Sequence, residues 1–337
     1  MQAVNLSMGS QPLLTIAIPT YNRAVFLELC LKRISEEIDS LSADQRKLVQ
    51  VYISNNASTD NTTQVIFQHQ LIEARKFEVA HNEENIGGER NVAQCYTSAT
   101  TPYVWVLGDD DLILPGGLKN VLDVLLEQDV DILYVNNYWF KDDYKNHPRS
   151  KEKHGISIYT NRIDFARRTN VMMTFISALI VRNRASLDYH TDVASGSNLP
   201  QLGWVLLLLR DGKRFAIIED WIVAAKGANS GGYGLIKVFG ENLKKISNVI
   251  LKDKPRLAKV IESGTIVNFF PGFILELRSG SSKFQDKDLA DGLKQVFGGN
   301  WRYYFFLVPL IKLPLFLAYR YNYMLNILRR IFANYLI

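Results

Sequence analysis

Along the first third of the chain, apolar runs and polar clusters alternate in blocks. Leu13 to Pro19 (LLTIAIP) is a short apolar run closed by a proline and a turn, the pattern of a buried strand in a parallel sheet. Ala24 to Ile38 follows with apolar residues at helical spacing. A second strand, Val49 to Ser54, opens into Asn55-Asn56-Ala57-Ser58-Thr59-Asp60, a cluster of turn and cap formers before a predicted helix over Thr62 to Arg75. Phe77 to Ala80 reads as a third strand, Gly88 to Ala99 as a helix, and Tyr103 to Leu107 as a fourth strand that runs into Gly108-Asp109-Asp110-Asp111. Strands alternating with helices predict an open, mostly parallel α/β sheet. Ligands of such sheets sit at the carboxyl ends of the strands, where all three polar loops fall.

Farther on, the pattern predicts a helix over Leu118 to Glu127, a strand over Asp131 to Asn136 and an exposed charged loop over Lys141 to Lys153. Phe175 to Val181 reads as a strand and Leu199 to Arg210 as a strongly apolar helix. Arg214 to Ile218 and Trp221 to Ala225 read as further strands, and Asn229 to Gly234 is a glycine-rich loop followed by mainly helical sequence. No internal repeat or low-complexity segment interrupts this order.

Composition narrows the class. With 337 residues, 47% hydrophobic and 22% charged, the chain is not of a disordered, collagen-like or disulfide-stapled type. The formal charge of +5 is confined to one place. Trp301 to Ile337 holds five basic residues (Arg302, Lys312, Arg320, Arg329, Arg330) and no acidic one, so the remainder is balanced. That distribution argues against a nucleic-acid partner and for a tail that meets something anionic. Two cysteines, Cys30 and Cys95, make no disulfide framework and suit a reducing cytosol. Met1 to Pro12 lacks a basic start, and the apolar run behind it is short, so no secretory signal is expected. Tyr303 to Ile311 falls well short of the roughly 20 apolar residues that span a bilayer.

Three adjacent carboxylates directly after an apolar strand repel one another unless a cation or an array of donors offsets them. A hard divalent cation, Mg²⁺ or Mn²⁺, fits such oxygen ligands and keeps positions open for substrate phosphate. A solvated acidic turn that caps the next helix is the alternative. Pro19-Thr20-Tyr21-Asn22-Arg23 adds a hydroxyl, an aromatic face, an amide and a guanidinium, while Asn55, Asn56 and Ser58 add amide and hydroxyl groups suited to a base edge and a ribose. Each of these loops taken singly is also ordinary turn chemistry. Gly231 and its neighbours Asn229 and Ser230 form either a lid whose backbone amides approach a diphosphate or a plain turn.

Thr15 to Arg23, Val51 to Thr62, Asn82 to Asn91 and Trp105 to Leu118 together resemble the successive motifs of family 2 glycosyltransferases with the GT-A fold. Among members, the runs NNASTDNT, NIGG, LGDDD and NSGGY are most similar to those of O-antigen and capsule sugar transferases, abequosyltransferase-like ones included. The resemblance covers roughly 12–235. It implies a catalytic domain over 1–235, with a nucleotide-binding half at about 12–118 and an acceptor half at about 119–235, followed by a helical region over 236–337.

Carried onto this sequence, the resemblance implies that Pro19, Thr20, Tyr21, Asn22 and Arg23 line the nucleoside pocket, that Asn55 meets the base and that Arg90 lies near it. It puts Asp109 at the ribose and Asp110 on a Mn²⁺ or Mg²⁺ ion with Asp111 beside it. The implied reaction moves a sugar, with inversion, from a nucleoside-diphosphate sugar to a hydroxyl of a bacterial surface glycan. Two positions depart from the family pattern. Asn55 stands where an aspartate is commoner, and because an amide both donates and accepts, cytosine becomes as acceptable as uracil. Around Pro200-Gln201 there is none of the usual Glu-Asp pair, so Asp192 and Asp188 become the candidate general bases, with His190 as a nearby ligand or donor.

Two rivals stay open at this stage. A nucleotidyltransferase would want a glycine-rich basic loop after the first strand, and Pro19 to Arg23 has no glycine. A binding module that keeps the fold but has lost its base is the other. In the tail, Trp301, Tyr303, Tyr304, Phe305, Phe306, Tyr319, Tyr321 and Tyr323 interleave with the five cations. This suits either an anionic membrane surface, with the enzyme peripheral on the cytoplasmic face of the inner membrane and its acceptor lipid-linked, or a helical hairpin packed on the protein or on a second subunit of a homo-oligomer.

Overall fold

The computed structural model describes residues 11–73, 77–146, 148, 154–184, 191–227, 232–282, 284, 286 and 288–337. The elements in chain order are β1 (Leu14–Thr20), α1 (Ala24–Ser40), α2 (Ala43–Arg46), β2 (Val49–Asn55), α3 (Thr62–Glu73), β3 (Glu78–His81), α4 (Gly88–Thr97), β4 (Tyr103–Val106), β5 (Leu112–Ile113), α5 (Gly117–Glu127), β6 (Ile132–Phe140), β7 (Ile156–Tyr159), α6 (Arg162–Thr169), β8 (Leu179–Arg182), α7 (Thr191–Ala194), α8 (Leu202–Asp211), β9 (Phe215–Lys226), and five α-helices, α9 (Leu243–Ile250), α10 (Pro255–Gly264), α11 (Phe270–Arg278), α12 (Leu289–Phe297) and α13 (Val308–Lys312), before α14 (Leu315–Leu336).

Two compact units result: one comprises 1–158, 175–187 and 216–227, the other 159–174, 188–215 and 228–337. A single cut near 235 does not reproduce this division. In the second unit α6 packs on α10, and α8 packs on α9, so these earlier helices share a core with the C-terminal ones.

The first unit is built on one sheet of order β3-β2-β1-β4-β8-β6-β9-β5, with β7 on β9. Its nucleus is parallel: β1 pairs with β2 and β4, and β2 with β3. Leu14, Ile16, Ile18, Val51, Ile53, Val104 and Trp105 are all buried, as strands covered on both faces require. The register puts Thr20 opposite Asn55 and Asn55 opposite His81, so the carboxyl ends of the parallel strands form one edge.

Three expectations are revised. Phe175 to Val181 begins as a 3₁₀ turn over Ile176–Ala178 and becomes strand only at Leu179, because Ser177 is turned into the site described below. The two strands expected over 214–225 are one, Phe215–Lys226, and the predicted strand over 131–136 runs on to Phe140. The short strands β5 and β7 carry too few residues for their pattern to be read.

The second unit is helical around a core that includes Ile266, Phe270, Ile274, Phe297, Phe306 and Leu310. By length and composition the continuous helix Pro255–Arg278 could cross a membrane, yet 61% of its apolar window is packed inside the protein. Tyr303, Phe306, Leu307 and Leu310 are buried in the same core, so this part of the tail is an internal packing element.

Candidate active site

The site grows from the turn after β4. Leu107 still donates to the Ala17 carbonyl at 2.9 Å, and Gly108-Asp109-Asp110-Asp111 then closes with Asp111 N donating to Gly108 O at 3.1 Å. Glycine is required here by close approach. A Cβ on Gly108 would lie 3.0 Å from Asp111 Oδ2, 3.3 Å from Asp110 Oδ1 and 3.3 Å from Ser177 Oγ.

The three carboxylates have different surroundings. Asp109, 5% exposed, accepts from Thr20 Oγ1 at 2.8 Å, and its other oxygen lies 3.0 Å from Arg23 Nε. Asp111, also 5% exposed, accepts from Ser177 Oγ at 2.6 Å and from the Lys226 backbone N–H at 2.9 Å. Asp110 is the least buried of the three, its side chain 16% exposed, and takes an ion pair from Arg23 Nη2. Burial pushes both Asp109 and Asp111 up to about 7, with the Asp110 charge adding to the rise and Arg23 opposing it at Asp109. Beneath the turn, burial first and then the three aspartates push the Cys30 thiol well above its ordinary value. Negative charge is therefore concentrated here and, among the described residues, is offset in part by the Arg23 guanidinium.

Among the described residues, no group of three or more His, Cys, Asp or Glu side chains is arranged to hold a metal ion. The donor set nonetheless fits a cation that relies on substrate phosphate and water, because such ions commonly take only one or two carboxylates from the protein. Asp110 is the ligand that fits; its Oδ1 and Asp111 Oδ2 lie 3.3 and 3.0 Å from where a Cβ on Gly108 would stand. Asp109 and Asp111 have their oxygens committed to the fold.

The loops after β1 and β2 are stitched to each other. Asn22, at φ 53°, accepts from Thr59 N at 2.7 Å, and its own N–H donates to Ser58 Oγ at 2.9 Å. Asp60 accepts from the Ala24 and Thr62 backbone at the adjoining helix starts. Asn56 is buried, and both lone pairs of its oxygen are taken: it donates to Asn85 Oδ1 at 2.8 Å and accepts from Asn82 Nδ2 and Ile86 N, which fixes the loop before α4. Asn55 is buried as well. Its oxygen accepts from Ser58 N at 3.1 Å, which sets the amide's orientation, and its nitrogen points at Thr63 Oγ1 (3.0 Å) and His81 Nδ1 (3.3 Å). The amide hydrogens that would have suited cytosine are directed at these neighbours, leaving the second lone pair of Oδ1 as the capacity that remains.

Tyr21 and Arg90 are exposed, the latter in the first turn of α4, and Pro19 is partly buried on β1. Arg23 stacks on Phe26, its guanidinium carbon 4.8 Å from the ring centre. Asp188, His190, Asn229, Ser230 and Gly231 lie outside the described residues, as does the side chain of Asp192, whose backbone is in α7. At the position of the missing Glu-Asp pair, Gln201 is buried and donates to Thr174 O at 2.5 Å. Ser177 and the Lys226 backbone were not legible as site components; a lone serine 66 residues from its partner leaves no local signal.

Residues 15–190 match the profile described as Glycosyl transferase family 2, which is more than half of the chain. The chain belongs to that family. A similar protein is "Abequosyltransferase RfbV" of Salmonella typhimurium, 31% identical over 126 residues. That match spans 36% of this chain and 34% of the relative, about a third of the latter's length. Among solved structures, S. aureus TarS 1-349 aligns with a TM-score of 0.57 at 16% identity, covering 93% of this chain and 88% of that one. TarS 1-349 in complex with UDP aligns with a TM-score of 0.58 at 17% identity over the same shares. The mannosyltransferase PcManGT from Pyrobaculum calidifontis, in complex with GDP-Man and Mn²⁺, aligns with a TM-score of 0.52 at 14% identity, covering 96% of this chain and 88% of that one. At such identities the likeness concerns the fold, and it is the GT-A fold expected for a family 2 glycosyltransferase.

Proposed function

We propose that this glycosyltransferase moves one sugar, with inversion and with the help of a divalent cation, from a nucleoside-diphosphate sugar to a hydroxyl of a lipid-linked bacterial surface glycan. The observation that carries the reading is the carboxylate turn at the end of β4, held by Thr20, Arg23 and Ser177 so that Asp110 is the most exposed of its three carboxylates. A relative named as an abequosyltransferase, and neighbours solved with UDP, UDP-GlcNAc or GDP-Man and Mn²⁺, support a nucleotide-sugar donor.

In this reading the edge formed by β1, β2 and β4 receives the nucleoside, with Asp109 at the ribose and Tyr21 and Arg90 as exposed groups at the rim. Mn²⁺ or Mg²⁺, when bound, supplies positive charge to the departing diphosphate. Arg23, which the turn already holds between Asp109 and Asp110, adds a fixed cation at the same place, where it favours charge that develops as the bond breaks. The acceptor hydroxyl gives its proton to a carboxylate base, for which Asp192 and Asp188 are the proposed groups. Asn229, Ser230 and Gly231 are the proposed lid.

The tail supplies the second half of the proposal. One face of α14 packs inward through Ala318 and Leu325. On the opposite face Phe316 is 64% exposed, Tyr323 71% and Ile331 64%, with Tyr319, Arg320, Ile327 and Arg330 between them. Apolar rings and cations without any acidic residue on one helix face suit the headgroup layer of an anionic bilayer. The reading thus places the enzyme at the cytoplasmic face of the inner membrane.

Calorimetric binding of UDP, CDP, GDP and dTDP, each with Mn²⁺, with Mg²⁺ and with chelator, tests the donor side. Metal-dependent binding of one nucleotide, lost in Asp110→Asn, is the expected result. Binding of none of them under any condition, or equal binding by Asp110→Asn, refutes the reading.

A further inference from the structure

Both segments that complete Asp111 lead to a pair of aromatic rings outside the groups assigned to the nucleotide. Ser177, whose hydroxyl donates to Asp111 Oδ2 at 2.6 Å, follows Phe175 by two residues. Lys226, whose backbone N–H donates to Asp111 Oδ1 at 2.9 Å, precedes Gly227, whose own N–H donates to the Phe140 carbonyl at 2.7 Å. A Cβ on Gly227 would lie 3.0 Å from that carbonyl and 4.0 Å from the Cβ of Trp139. The rings of Trp139 and Phe175 meet with centres 5.0 Å apart and planes tilted by 45°. Strand directions agree with this placement. β4 and β6 both run antiparallel to β8, so β6 runs the same way as β4 and its carboxyl end, with Trp139, shares the sheet edge of the carboxylate turn. All of these residues belong to the first unit.

Trp139 is 57% exposed, whereas Tyr138 and Phe140 on either side of it are buried. A single exposed ring is ordinary, but this one is braced by a second, half-buried ring, which restricts its orientation while most of its surface stays open. A flat apolar face at the margin of a polar site matches a pyranose, which presents C–H groups on its faces and hydroxyls around its rim. Position decides which sugar. Asp109 is tied to Thr20 and Arg23, on the side of the nucleotide loops, and Asp111 to Ser177 and β9, on the other. In the sheet order β2-β1-β4-β8-β6, Trp139 lies across β4 from β1 and β2. At an inverted carbon the departing diphosphate and the attacking hydroxyl stand on opposite sides, so a ring on the Asp111 side falls to the acceptor.

We infer that Trp139, braced by Phe175, is the platform on which a pyranose ring of the acceptor glycan lies, with a C–H face against the indole and its hydroxyls at the carboxylate turn, an inference that rests on the proposed transfer. Stacking fixes the plane of the sugar and leaves the polar groups around it to choose the hydroxyl that reacts.

The probes are the methyl pyranosides of glucose, galactose, mannose, rhamnose and N-acetylglucosamine, offered to the full chain in saturation-transfer difference NMR with and without nucleoside diphosphate and Mn²⁺. Nucleotide binding is measured by calorimetry on the same preparations. The variants are Trp139→Ala, Trp139→Tyr and, as a control, Phe67→Ala, which removes a ring 58% exposed on α3. At least one glycoside is expected to bind, with saturation strongest at the C–H protons of one ring face. Trp139→Ala is expected to weaken that binding about tenfold, Trp139→Tyr to restore most of it and Phe67→Ala to leave it unchanged, while nucleotide binding stays at the wild-type value in all three. Should Trp139→Ala lower the Tm, Trp139→Leu, apolar without a flat face, has to show the same loss. Glycoside binding untouched by Trp139→Ala, or no glycoside bound while a nucleotide binds, overturns the inference and leaves the transfer reading standing. Nucleotide binding that falls with Trp139→Ala puts a base on the ring and overturns it as well. Glycoside binding through Trp139 in a protein that binds no nucleotide refutes the transfer reading and with it the acceptor role, leaving a sugar-binding face.

Discussion

Replacing Ser177 by alanine isolates what holds the carboxylate turn together. The hydroxyl is fully buried, donates to Asp111 Oδ2 at 2.6 Å and accepts from Gly108 N at 2.9 Å. Alanine removes a hydrogen bond to a charged group, about 1.5–3 kcal/mol, and leaves the Gly108 N–H without that acceptor, about 1–3 kcal/mol. Asp111 also loses one of the two donors that hold its carboxyl down against burial, so it moves further toward the neutral form, which limits the loss. A net destabilisation of about 3 kcal/mol is expected, a large share of the roughly 5–15 kcal/mol that folded proteins have. Urea unfolding followed by tryptophan fluorescence is a suitable assay, because Trp105 Nε1 donates to the Ser177 carbonyl at 2.9 Å and reports on this part of the sheet. Ser157→Ala, which removes a 2.8 Å bond to the carboxylate of Glu219 elsewhere in the same unit, is the control: it loses one bond to a charged group without taking the acceptor from a backbone N–H, and should cost about 1.5 kcal/mol. A Ser177→Ala midpoint within error of the control at unchanged slope would refute the reasoning, since it would mean that the turn stands without its serine.

Four other outcomes follow from the structure. Gly108→Ala forces a methyl to 3.0 Å from Asp111 Oδ2 and is expected to weaken metal-dependent nucleotide binding at least about tenfold, read by calorimetry. Arg33→Met strands buried Glu37, which otherwise binds Arg33 at 2.8 Å and accepts from Gly116 N and Leu118 N; a loss of about 3–5 kcal/mol in urea unfolding is expected. Gly264→Ala brings a Cβ to 2.5 Å from the Cβ of Asn170 and should cost about 1–3 kcal/mol, seen as a lowered Tm. Phe316→Ser combined with Tyr323→Ser removes exposed rings from α14, so vesicle flotation should fall while the Tm stays within about 1 °C, surface changes being energetically small.

Much of the first unit is legible because its strands obey a local rule. Leu13 to Pro19, Val49 to Ser54 and Tyr103 to Leu107 are each continuous apolar runs ending in polar loops, and a strand buried on both faces has no other signature. The loops were legible as a set for the same reason: each follows a strand of the same sheet edge. What the sequence does not disclose is which polar atoms the fold consumes. Asn55, Asn56, Asp109 and Asp111 all read as ligand groups, and all four direct their side chains largely at neighbours 3 to 115 residues away. Ser177 and the Lys226 N–H, which complete Asp111, belong to segments whose nearest pattern is merely apolar. The division of the chain was illegible for a similar reason, since α6 and α8 join the helical unit through contacts that no local period encodes.

The run Asp109-Asp110-Asp111 shows why three identical residues cannot share one role. In a turn, successive side chains leave the backbone in different directions, so one edge of a sheet can receive at most part of such a run. Asp109 meets Thr20 on the neighbouring parallel strand, Asp111 meets Ser177 and the end of β9, and both are driven toward neutrality by burial. The middle residue is the one left partly exposed, and its charge is met by Arg23, itself fixed at the start of α1 and shared with Asp109. If the flanking carboxylates serve chiefly to aim the middle one, their replacement by asparagine, which keeps one of the two accepting oxygens, has to preserve more nucleotide binding than Asp110→Asn does. Asp111→Asn is the stricter case: both residues have partners at separate oxygens and an amide can accept at only one of them, but the Asp111 donors are a buried hydroxyl and a backbone N–H, whereas the second partner of Asp109 is Arg23, whose side chain is 33% exposed. An order of loss in which Asp110→Asn exceeds Asp111→Asn, and Asp111→Asn exceeds Asp109→Asn, is therefore the expected outcome in nucleotide titrations, and the reverse order would place the cation on the buried carboxylates instead.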